Sequence, residues 1–582
     1  MTPPVSTPTR PPATTRPSAR DVPAPRSSAR PAPAAPQATP AVGTADTRSV
    51  RVPRRVRTRA GQAAAVIRET ATTSRDLVRV VAGTDELRPA PGDKRFDDAA
   101  WRVNPLYRRL GQGYTAVDAG LARLVDDWAA TGADWREVEQ VRFLTSAASS
   151  VLAPTNTLLG NPAALRRAVS TRGRSLLKGA GHLTHDLLHN GGMPTQTDRS
   201  AFRVGEDLAL SPGAVVARDE VAELLQYAPT TPTVGSRPLL VVPPPICRYY
   251  FLDLRPGRSF VEYAASRGIQ VFMISWRNPG RDHRHWSLDT YSRRVLDAID
   301  SVREITGSDD VNTLGFCAGG QLQSTVLNHL AATGDARVAN AGFAVTMLDF
   351  DSPAPIGAFS SPALLEVARL VSRARGVLDS GSLGAVFSWM RPLDLVTNYW
   401  VSNYLMGEPA PSFDILAWNA DGTNLPAGLH SDFLSLMRRN ALVQPGALTV
   451  LGTAIDLSRV TVPTFVTGGV TDHLTPWQAC YRTTQLVSGP STFVLSNAGH
   501  IASLVNPPGG SKASYWTGGA PGPDPDQWRA TATEQPGSWW QAWADWNLER
   551  SGGPVPAPVR QGSEQHPVLA AAPGDYVLAP AA

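Results

Sequence analysis

The feature that most constrains this chain is a glycine-rich sequence near its middle, Gly315-Phe316-Cys317-Ala318-Gly319-Gly320. The apolar residues Val311–Leu314 before it predict a short β-strand, and the residues Gln321–Leu330 after it predict an α-helix. A strand that passes directly into a helix needs a sharp turn. Glycines two positions before and two positions after Cys317 allow that turn without Cβ clashes. The sequence therefore predicts a strand–turn–helix unit with a cysteine at its centre.

This unit matches the nucleophile elbow of α/β-hydrolases, G-x-S-x-G, with cysteine in place of serine. Strand-like and helical segments alternate around it, which indicates a mostly parallel sheet with right-handed crossovers. The other predicted strands are Pro238–Val242, Val271–Ile274, Ala344–Leu348, Pro463–Thr467 and Thr492–Leu495. The predicted helices are Ser259–Ser266, Asp289–Ile305 and Trp539–Leu548, the last of which should pack on the sheet. The fold class is therefore α/β, with an α/β-hydrolase core.

Three further regions are predicted around this core. Residues 1–90 should form a disordered tail, apart from a short helix at Arg75–Val81. Residues 91–233 show apolar residues at helical spacing and should form a mostly helical N-terminal domain. Residues 234–582 then form the catalytic domain. Within it, an aromatic-rich stretch at about residues 351–461 is too long for one crossover and should form a cap over the site, with an ordinary helical insertion as the alternative.

The net charge of +5 comes from the tail. Residues 1–60 contain eleven arginines, two aspartates and no lysine, so that the rest of the chain is mildly acidic. Their thirteen prolines and few large apolar residues cannot bury enough surface to offset chain entropy. A segment with this composition can bind a partner of negative charge, and it also resembles a transit peptide. A solvated extension is the simpler interpretation, and no nucleic-acid partner is expected.

The three cysteines, Cys247, Cys317 and Cys480, are too few and too scattered for a disulfide framework or a metal site. A reducing cytoplasm is therefore the expected compartment, and neither a metal nor an organic cofactor is expected. The sequence has no apolar run of the length that spans a bilayer and no segment typical of a secretory signal.

The candidate catalytic residues follow the chain order nucleophile, acid, histidine that α/β-hydrolases use. Asp472 lies in the turn after a late predicted strand, and His500 follows the last predicted strand. His500 would accept the proton of the Cys317 thiol or hold it in a thiolate–imidazolium pair, and Asp472 would orient the imidazole. A thiolate is a soft nucleophile and a good leaving group, which suits repeated acyl transfer between thioesters.

An oxyanion hole needs two backbone N–H groups. We expect one from Ala318, directly after the nucleophile, and the other from the loop after the first core strand, at Ile246 next to Cys247. Cys247 and Cys480 are expected to be packing residues. His473 could shape the pocket, although a hydrogen bond within its loop is the simpler interpretation.

Several blocks outside the elbow resemble the polyhydroxyalkanoate synthase family, over about residues 96–577. They are Thr195–Asp198, Ala201–Gly205, Pro244–Ile246, Tyr249–Leu254, Ile274–Pro279, Asn403–Leu405, Phe413–Ile415, Trp418–Pro426 and Gly499–Ile501 followed by Asn506–Gly509. The complete N-terminal domain resembles class I members rather than the shorter two-subunit ones. The family usually has Asn-Lys where this chain has Cys247-Arg248.

The resemblance implies that the chain polymerises (R)-3-hydroxyacyl-CoA into polyhydroxyalkanoate, such as poly(3-hydroxybutyrate), and releases coenzyme A. It further implies a bacterial homodimer at the surface of cytoplasmic polymer granules, in contact with granule-associated proteins. Two alternatives remain open. One is an intracellular polyhydroxyalkanoate depolymerase or thioesterase with a cysteine nucleophile, and the other is a granule-binding protein without activity.

Overall fold

The computed structural model describes residues 54–84, 87–90 and 93–580, with side chains from Ala65 onward. The disorder predicted for residues 1–53 lies outside the described residues. In the part of the chain that is described, no helix combines the length and the apolar character that a membrane crossing requires.

Helices dominate the first part of the described chain and then alternate with strands. They are α1 (Arg54–Ala82), α2 (Ala100–Val103), α3 (Pro105–Ala130), α4 (Trp135–Leu152), α5 (Pro162–Ser170), α6 (Arg174–His189), α7 (Phe260–Ser266), α8 (Leu288–Thr306), α9 (Ala318–Thr333), α10 (Pro362–Arg375), α11 (Ser380–Trp389), α12 (Asp414–Ala420), α13 (Ala427–Arg439), α14 (Trp477–Leu486), α15 (His500–Val505), α16 (Pro525–Thr531) and α17 (Trp539–Leu548).

The strands begin only after the N-terminal helices. They are β1 (Gly213–Arg218), β2 (Ala222–Tyr227), β3 (Thr233–Gly235), β4 (Leu239–Val242), β5 (Val271–Trp276), β6 (Val311–Phe316), β7 (Val338–Ala344), β8 (Val377–Leu378), β9 (Leu425–Pro426), β10 (Thr449–Val450), β11 (Thr453–Ala454), β12 (Thr464–Gly469), β13 (Ser491–Ser496), β14 (Ser514–Thr517), β15 (Thr533–Pro536), β16 (Pro554–Pro556) and β17 (Ala570–Ala571).

One 11-stranded sheet forms the centre, in the order β15-β14-β13-β12-β7-β6-β4-β5-β2-β1-β17. The six strands from β13 to β5 are parallel, and the strands at both edges are antiparallel to their neighbours. Every residue of β4, β5, β6 and β12 is buried, as expected for strands with both faces covered. The mostly parallel sheet predicted from the sequence is confirmed.

Helix α17 packs on this sheet, as predicted. The indoles of Trp539, Trp540 and Trp543 are fully buried. Trp539 Nε1 donates a hydrogen bond of 2.7 Å to the carbonyl oxygen of Ser503. The C-terminal region of the catalytic domain therefore closes one face of the core.

Two predicted boundaries in the first half of the chain are wrong. Helix α1 begins at Arg54, well before the predicted end of the tail at residue 90, because it packs along α3, where Arg123 Nε donates 2.8 Å to Glu69. Strands β1 and β2 fall within the predicted helical domain, which extends to residue 233, yet they pair with the central sheet. Their apolar residues are buried because β2 lies between β1 and β5.

The strand predicted at Ala344–Leu348 is also misplaced, since β7 ends at Ala344. Val345 has a φ of +44°, a left-handed conformation that stops an extended strand. The first part of β7 contains alanine, asparagine and glycine, which have low β propensity, and only its position between β6 and β12 makes it a strand.

The residues between β7 and β12 contain α10 to α13, and we refer to residues 351–461 as the inserted segment. This segment packs against the N-terminal helices. The Tyr404 hydroxyl donates 2.7 Å to the buried carboxylate of Asp186, and Asn403 Nδ2 donates 2.7 Å to the carbonyl oxygen of Thr195. His182 Nδ1 lies 3.1 Å from the carbonyl oxygen of Asn403. Helix α6 and the residues that follow it are thus hydrogen-bonded to the inserted segment.

Candidate active site

The sheet brings the three candidate catalytic residues to one edge. Phe316 of β6 pairs with Ala344 of β7, and Ala344 pairs with Thr467 of β12, which pairs in turn with Val494 of β13. These strands are parallel, so the residues that follow them leave the sheet at the same edge. Cys317 comes directly after β6, while Asp472 and His500 lie in the connections that follow β12 and β13.

Cys317 occupies a strained turn between β6 and α9. Its backbone has φ +48° and ψ −121°, a combination that non-glycine residues rarely adopt. Its N–H donates 2.9 Å to the carbonyl oxygen of Ala344. A Cβ on Gly315 would lie 2.5 Å from Gly320 Cα, and one on Gly319 would collide with the carbonyl oxygen of Val242. The glycines are therefore needed because the start of α9 packs against two strand ends.

Asp472 and His500 form a buried pair. His500 Nδ1 lies 2.7 Å from Asp472 Oδ2, and the two side chains are 5% and 0% exposed respectively. Asp472 Oδ1 accepts hydrogen bonds from the backbone N–H groups of Leu474 (2.8 Å) and Thr475 (2.9 Å). These hydrogen bonds replace the hydrogen bonds to water that the carboxylate loses on burial.

The charges of the pair shift both pKa values. Burial raises the pKa of Asp472, but His500 and the hydrogen bonds from Thr475 outweigh burial, so that the pKa lies below its ordinary value. Burial lowers the pKa of His500, but Asp472 and then Cys317 outweigh it and raise the pKa to about 10. The carboxylate beside the imidazole therefore favours its protonated form.

Cys317 is the second group, after Asp472, that acts on the imidazole of His500. Its side chain interacts with His500 both electrostatically and as a hydrogen-bond partner. Since Nδ1 faces Asp472, Nε2 is the nitrogen available to the sulfur. The structure thus brings Cys317, His500 and Asp472 together in the order predicted from the sequence.

The Thr475 side chain belongs to this group, and the sequence analysis missed it. Its hydroxyl donates 2.8 Å to Asp472 Oδ2 and lies 3.2 Å from His500 Nδ1. The signal was present in the sequence, because a threonine three residues after an aspartate is common where the aspartate caps its own turn. Asp472, Thr475 and His500 therefore form one hydrogen-bonded array.

The two predicted oxyanion residues follow neighbouring strands of the sheet. Ala318 is the first residue of α9, where a backbone N–H has no partner within the helix. Ile246 lies in the turn after β4, next to β6 in the sheet, and its side chain packs against the core. Both residues thus follow neighbouring strands at the edge that carries Cys317.

The remaining candidates take other places. Cys480 is fully buried in α14, and Cys247 packs against the core with its sulfur 4.0 Å from the carbonyl oxygen of Pro244, as predicted. The ring of His473 makes no hydrogen bond within the described ranges, so the predicted loop hydrogen bond is wrong. Burial, followed by the nearby Arg391 of the inserted segment, lowers the pKa of His473 to about 4.

Over the described ranges, no group of three or more His, Cys, Asp or Glu side chains is arranged to hold a metal ion.

Comparison with known proteins gives matches over most of the chain. Residues 92–264 match the family described as poly-beta-hydroxybutyrate polymerase (PhaC) N-terminus, and residues 253–507 match the alpha/beta hydrolase fold. Poly(3-hydroxyalkanoate) polymerase 2 of Ectopseudomonas oleovorans is 44% identical over 86% of this chain and 89% of its own length. The poly(3-hydroxyalkanoate) polymerase subunit PhaC of Cupriavidus necator is 40% identical over 84% of this chain and 83% of its own length. The poly(3-hydroxyalkanoate) polymerase of Methylorubrum extorquens is 37% identical over 84% of this chain and 81% of its own length.

Proposed function

Since this chain belongs to the poly(3-hydroxyalkanoate) polymerase family, we propose that Cys317 is the nucleophile on which it joins (R)-3-hydroxyacyl-CoA units into a polyester, with release of coenzyme A. The observation that carries this proposal is the buried Asp472–His500 pair beside a cysteine at the tip of a strained elbow. A thiolate that is stabilised by an imidazolium is prepared for acyl transfer.

In the first step the sulfur of Cys317 attacks the carbonyl carbon of the acyl-CoA thioester. A new bond forms between that carbon and the sulfur, and the bond from the carbonyl carbon to the sulfur of coenzyme A breaks. Protonated His500 gives its proton to the departing thiolate, so that free coenzyme A leaves as a thiol. The products are acyl-Cys317 and a neutral imidazole, which is the form needed for the next step.

In the second step neutral His500 takes the proton of the 3-hydroxyl of an incoming hydroxyacyl-CoA. The hydroxyl oxygen attacks the acyl-Cys317 carbonyl, an ester bond forms, and the sulfur leaves as a thiolate beside the new imidazolium. The chain, longer by one unit, is now a CoA thioester that Cys317 attacks again. Each cycle therefore restores the ion pair, and no metal or organic cofactor takes part.

Asp472 acts in this scheme through His500, not on the hydroxyl of the substrate. Oδ1 of Asp472 accepts two backbone hydrogen bonds, and Oδ2 accepts from the Thr475 hydroxyl and lies 2.7 Å from His500 Nδ1. With its side chain 0% exposed, the carboxylate has no free face for a substrate. Its role is to orient the imidazole and to stabilise the imidazolium.

The negative oxygen that develops in both steps would accept hydrogen bonds from the N–H groups of Ala318 and Ile246. The burial of His500 favours acyl transfer over hydrolysis, because water at the acyl-cysteine would end the chain.

We extend the proposal to the partners that the resemblance implies, namely a homodimer and association with polymer granules and their proteins in the cytoplasm. One face of α10 supports it, since Leu364, Val367, Leu370 and Val371 are each more than 40% exposed. Apolar side chains clustered on one helix face favour association with another apolar surface. Light scattering of the purified protein, and its sedimentation with isolated granules, test both parts.

The central test measures coenzyme A release and polymer formation from (R)-3-hydroxybutyryl-CoA. Cys317→Ala should abolish both, and Cys480→Ala, which removes a thiol from the core, should retain both. Soluble 3-hydroxy acid without polymer would support a thioesterase or depolymerase instead. Activity that survives in Cys317→Ala would contradict the assignment of the nucleophile.

A further inference from the structure

We propose that Arg248 is a positioning residue that fixes the loop after β4, and with it the N–H group of Ile246, by binding this loop to two distant parts of the chain. One part is the stretch of the inserted segment around Asp421. The other is residues 570–580, which we call the C-terminal segment. This inference rests on the proposed function, since it gives Arg248 a task in the same oxyanion hole.

Arg248 lies two residues after Ile246, and its side chain is 2% exposed. Its guanidinium donates 3.0 Å to the carbonyl oxygen of Tyr576 and also donates to the carbonyl oxygen of Ala579. The planar fork of an arginine can serve two such acceptors at once. The loop is therefore attached to residues more than three hundred positions away in the sequence.

The same residue reaches the inserted segment in two ways. Arg248 Nε lies 3.8 Å from Asp421 Oδ1, and the other oxygen of Asp421 accepts 2.9 Å from the hydroxyl of Tyr250. The carbonyl oxygen of Arg248 accepts 2.8 Å from Trp418 Nε1. The backbone of Arg248 is thus bound to α12, and its side chain lies within ion-pair distance of the residue that follows this helix.

The C-terminal segment that holds Arg248 is itself anchored to the sheet. Glu223 of β2 is fully buried, and its carboxylate accepts from the backbone N–H groups of Asp575 (3.2 Å) and Tyr576 (3.1 Å). Arg218 lies 2.6 Å from the same carboxylate and offsets its charge. The Tyr576 carbonyl that Arg248 binds therefore belongs to a residue that is anchored to the sheet.

A second contact connects the same parts. Asn278, after β5, donates 2.8 Å from Nδ2 to the carbonyl oxygen of Pro580 and accepts 2.9 Å from the backbone N–H of Asn424. Asn278 thus links the C-terminal segment to the stretch of the inserted segment that follows α12, as Arg248 does. The loop after β4 therefore lies among contacts that join the C-terminal segment to the inserted segment, and Arg248 is two residues from Ile246.

A lysine, the residue that the family usually has here, offers one charged donor centre and cannot serve both carbonyl oxygens with a fixed geometry. We therefore expect Arg248→Lys to keep part of the function and Arg248→Met to lose most of it. Loss of one oxyanion donor lowers kcat by about 10²–10³-fold, so a displaced donor should lower it by about 10–100-fold. Because substrate binding does not depend on the oxyanion hole, KM should change by less than about threefold.

The matched control is Arg237→Met. Arg237 precedes β4 as Arg248 follows it, is partly buried, and also binds a carbonyl oxygen of the C-terminal part of the chain, that of Arg550. Its substitution should lower the melting temperature as Arg248→Met does, yet leave kcat within about twofold of the wild type, since it lies at the opposite end of the strand.

The experiment measures melting temperature, kcat and KM for coenzyme A release with the full-length wild type, Arg248→Met, Arg248→Lys, Arg237→Met and Asn278→Ala. A specific fall in kcat for Arg248→Met, with partial recovery in Arg248→Lys, supports the inference. Equal kcat losses in Arg248→Met and Arg237→Met would overturn it, as would full activity of both Arg248 variants. If Arg248→Met does not fold, the test rests on Arg248→Lys and Asn278→Ala. An unchanged kcat in both of these variants would overturn the inference. A wild type without polymerase activity would instead refute the proposed function.

Discussion

Replacing Thr475 by valine removes one hydrogen bond from the buried carboxylate and changes little else. Valine has nearly the shape of threonine, and the backbone N–H that donates 2.9 Å to Asp472 Oδ1 is retained. What is lost is the 2.8 Å hydrogen bond from the hydroxyl to Asp472 Oδ2, the oxygen that faces His500. The carboxylate remains buried and is then short of one donor.

A hydrogen bond to a charged group contributes about 1.5–3 kcal/mol, and a buried acceptor that loses its donor forfeits that amount. The loss weakens the form in which Asp472 is ionised and His500 is protonated, relative to the form in which Cys317 and His500 are both neutral. The reactive ion pair is then less populated, and about 1.36 kcal/mol corresponds to one decade in that population and hence in the rate. We therefore expect the acylation rate of Thr475→Val to fall by about 10–100-fold. The pKa of Asp472 should rise, since Thr475 contributes to its lowering.

Rapid-quench measurement of the first coenzyme A released per site gives the acylation rate directly. Thr475→Ser keeps the hydroxyl and should stay close to the wild type. A folded Thr475→Val that acylates at the wild-type rate would refute the reasoning. A double-mutant cycle with Asp472→Asn adds a second check, because the effect of Thr475→Val should become small once the carboxylate is absent.

Two further predictions concern stability. The lowered pKa of Asp472 means that its ionised form stabilises the fold above about pH 3.8, a contribution that is lost as the pH falls through the pKa of the folded state. The difference in unfolding free energy between wild type and Asp472→Asn, measured in urea, should therefore narrow from about pH 6 to about pH 3, and a constant difference would argue against this linkage. Tyr404→Phe removes a hydrogen bond to the buried Asp186 and should destabilise the protein by about 1–3 kcal/mol in the same assay, whereas Tyr107→Phe, at an exposed site, should cost less than about 0.5 kcal/mol.

The elbow and the order of the site residues could be predicted because the information is local. The glycines around Cys317 and the apolar strand before it specify the turn, and parallel strands bring their carboxyl ends to one edge. Asp472 and His500 could therefore be placed near Cys317 without knowledge of the rest of the fold.

What could not be predicted depends on contacts between distant residues. The sequence of β2 gives no sign that β5 will cover one of its edges, and β7 is a strand mainly because of its neighbours. The contact of Arg248 with Tyr576 joins residues that no local pattern relates. Most of helix α1 was missed for the same reason, since the sequence predicted only its stretch at Arg75–Val81 and the helix packs along the distant α3.

Both carboxylate oxygens of Asp472 already take part in hydrogen bonds, which limits the groups that can transfer protons in the reaction. Because neither carboxylate oxygen is free, proton transfer in both proposed steps passes through Nε2 of His500. This nitrogen then gives a proton to the sulfur of coenzyme A and later takes one from the 3-hydroxyl. The departing sulfur and the incoming hydroxyl therefore lie in turn at the same position beside the imidazole. In the proposed scheme a single chain would therefore contribute every group that acyl transfer and elongation require, and self-association would serve stability or access to the site, not the chemistry itself.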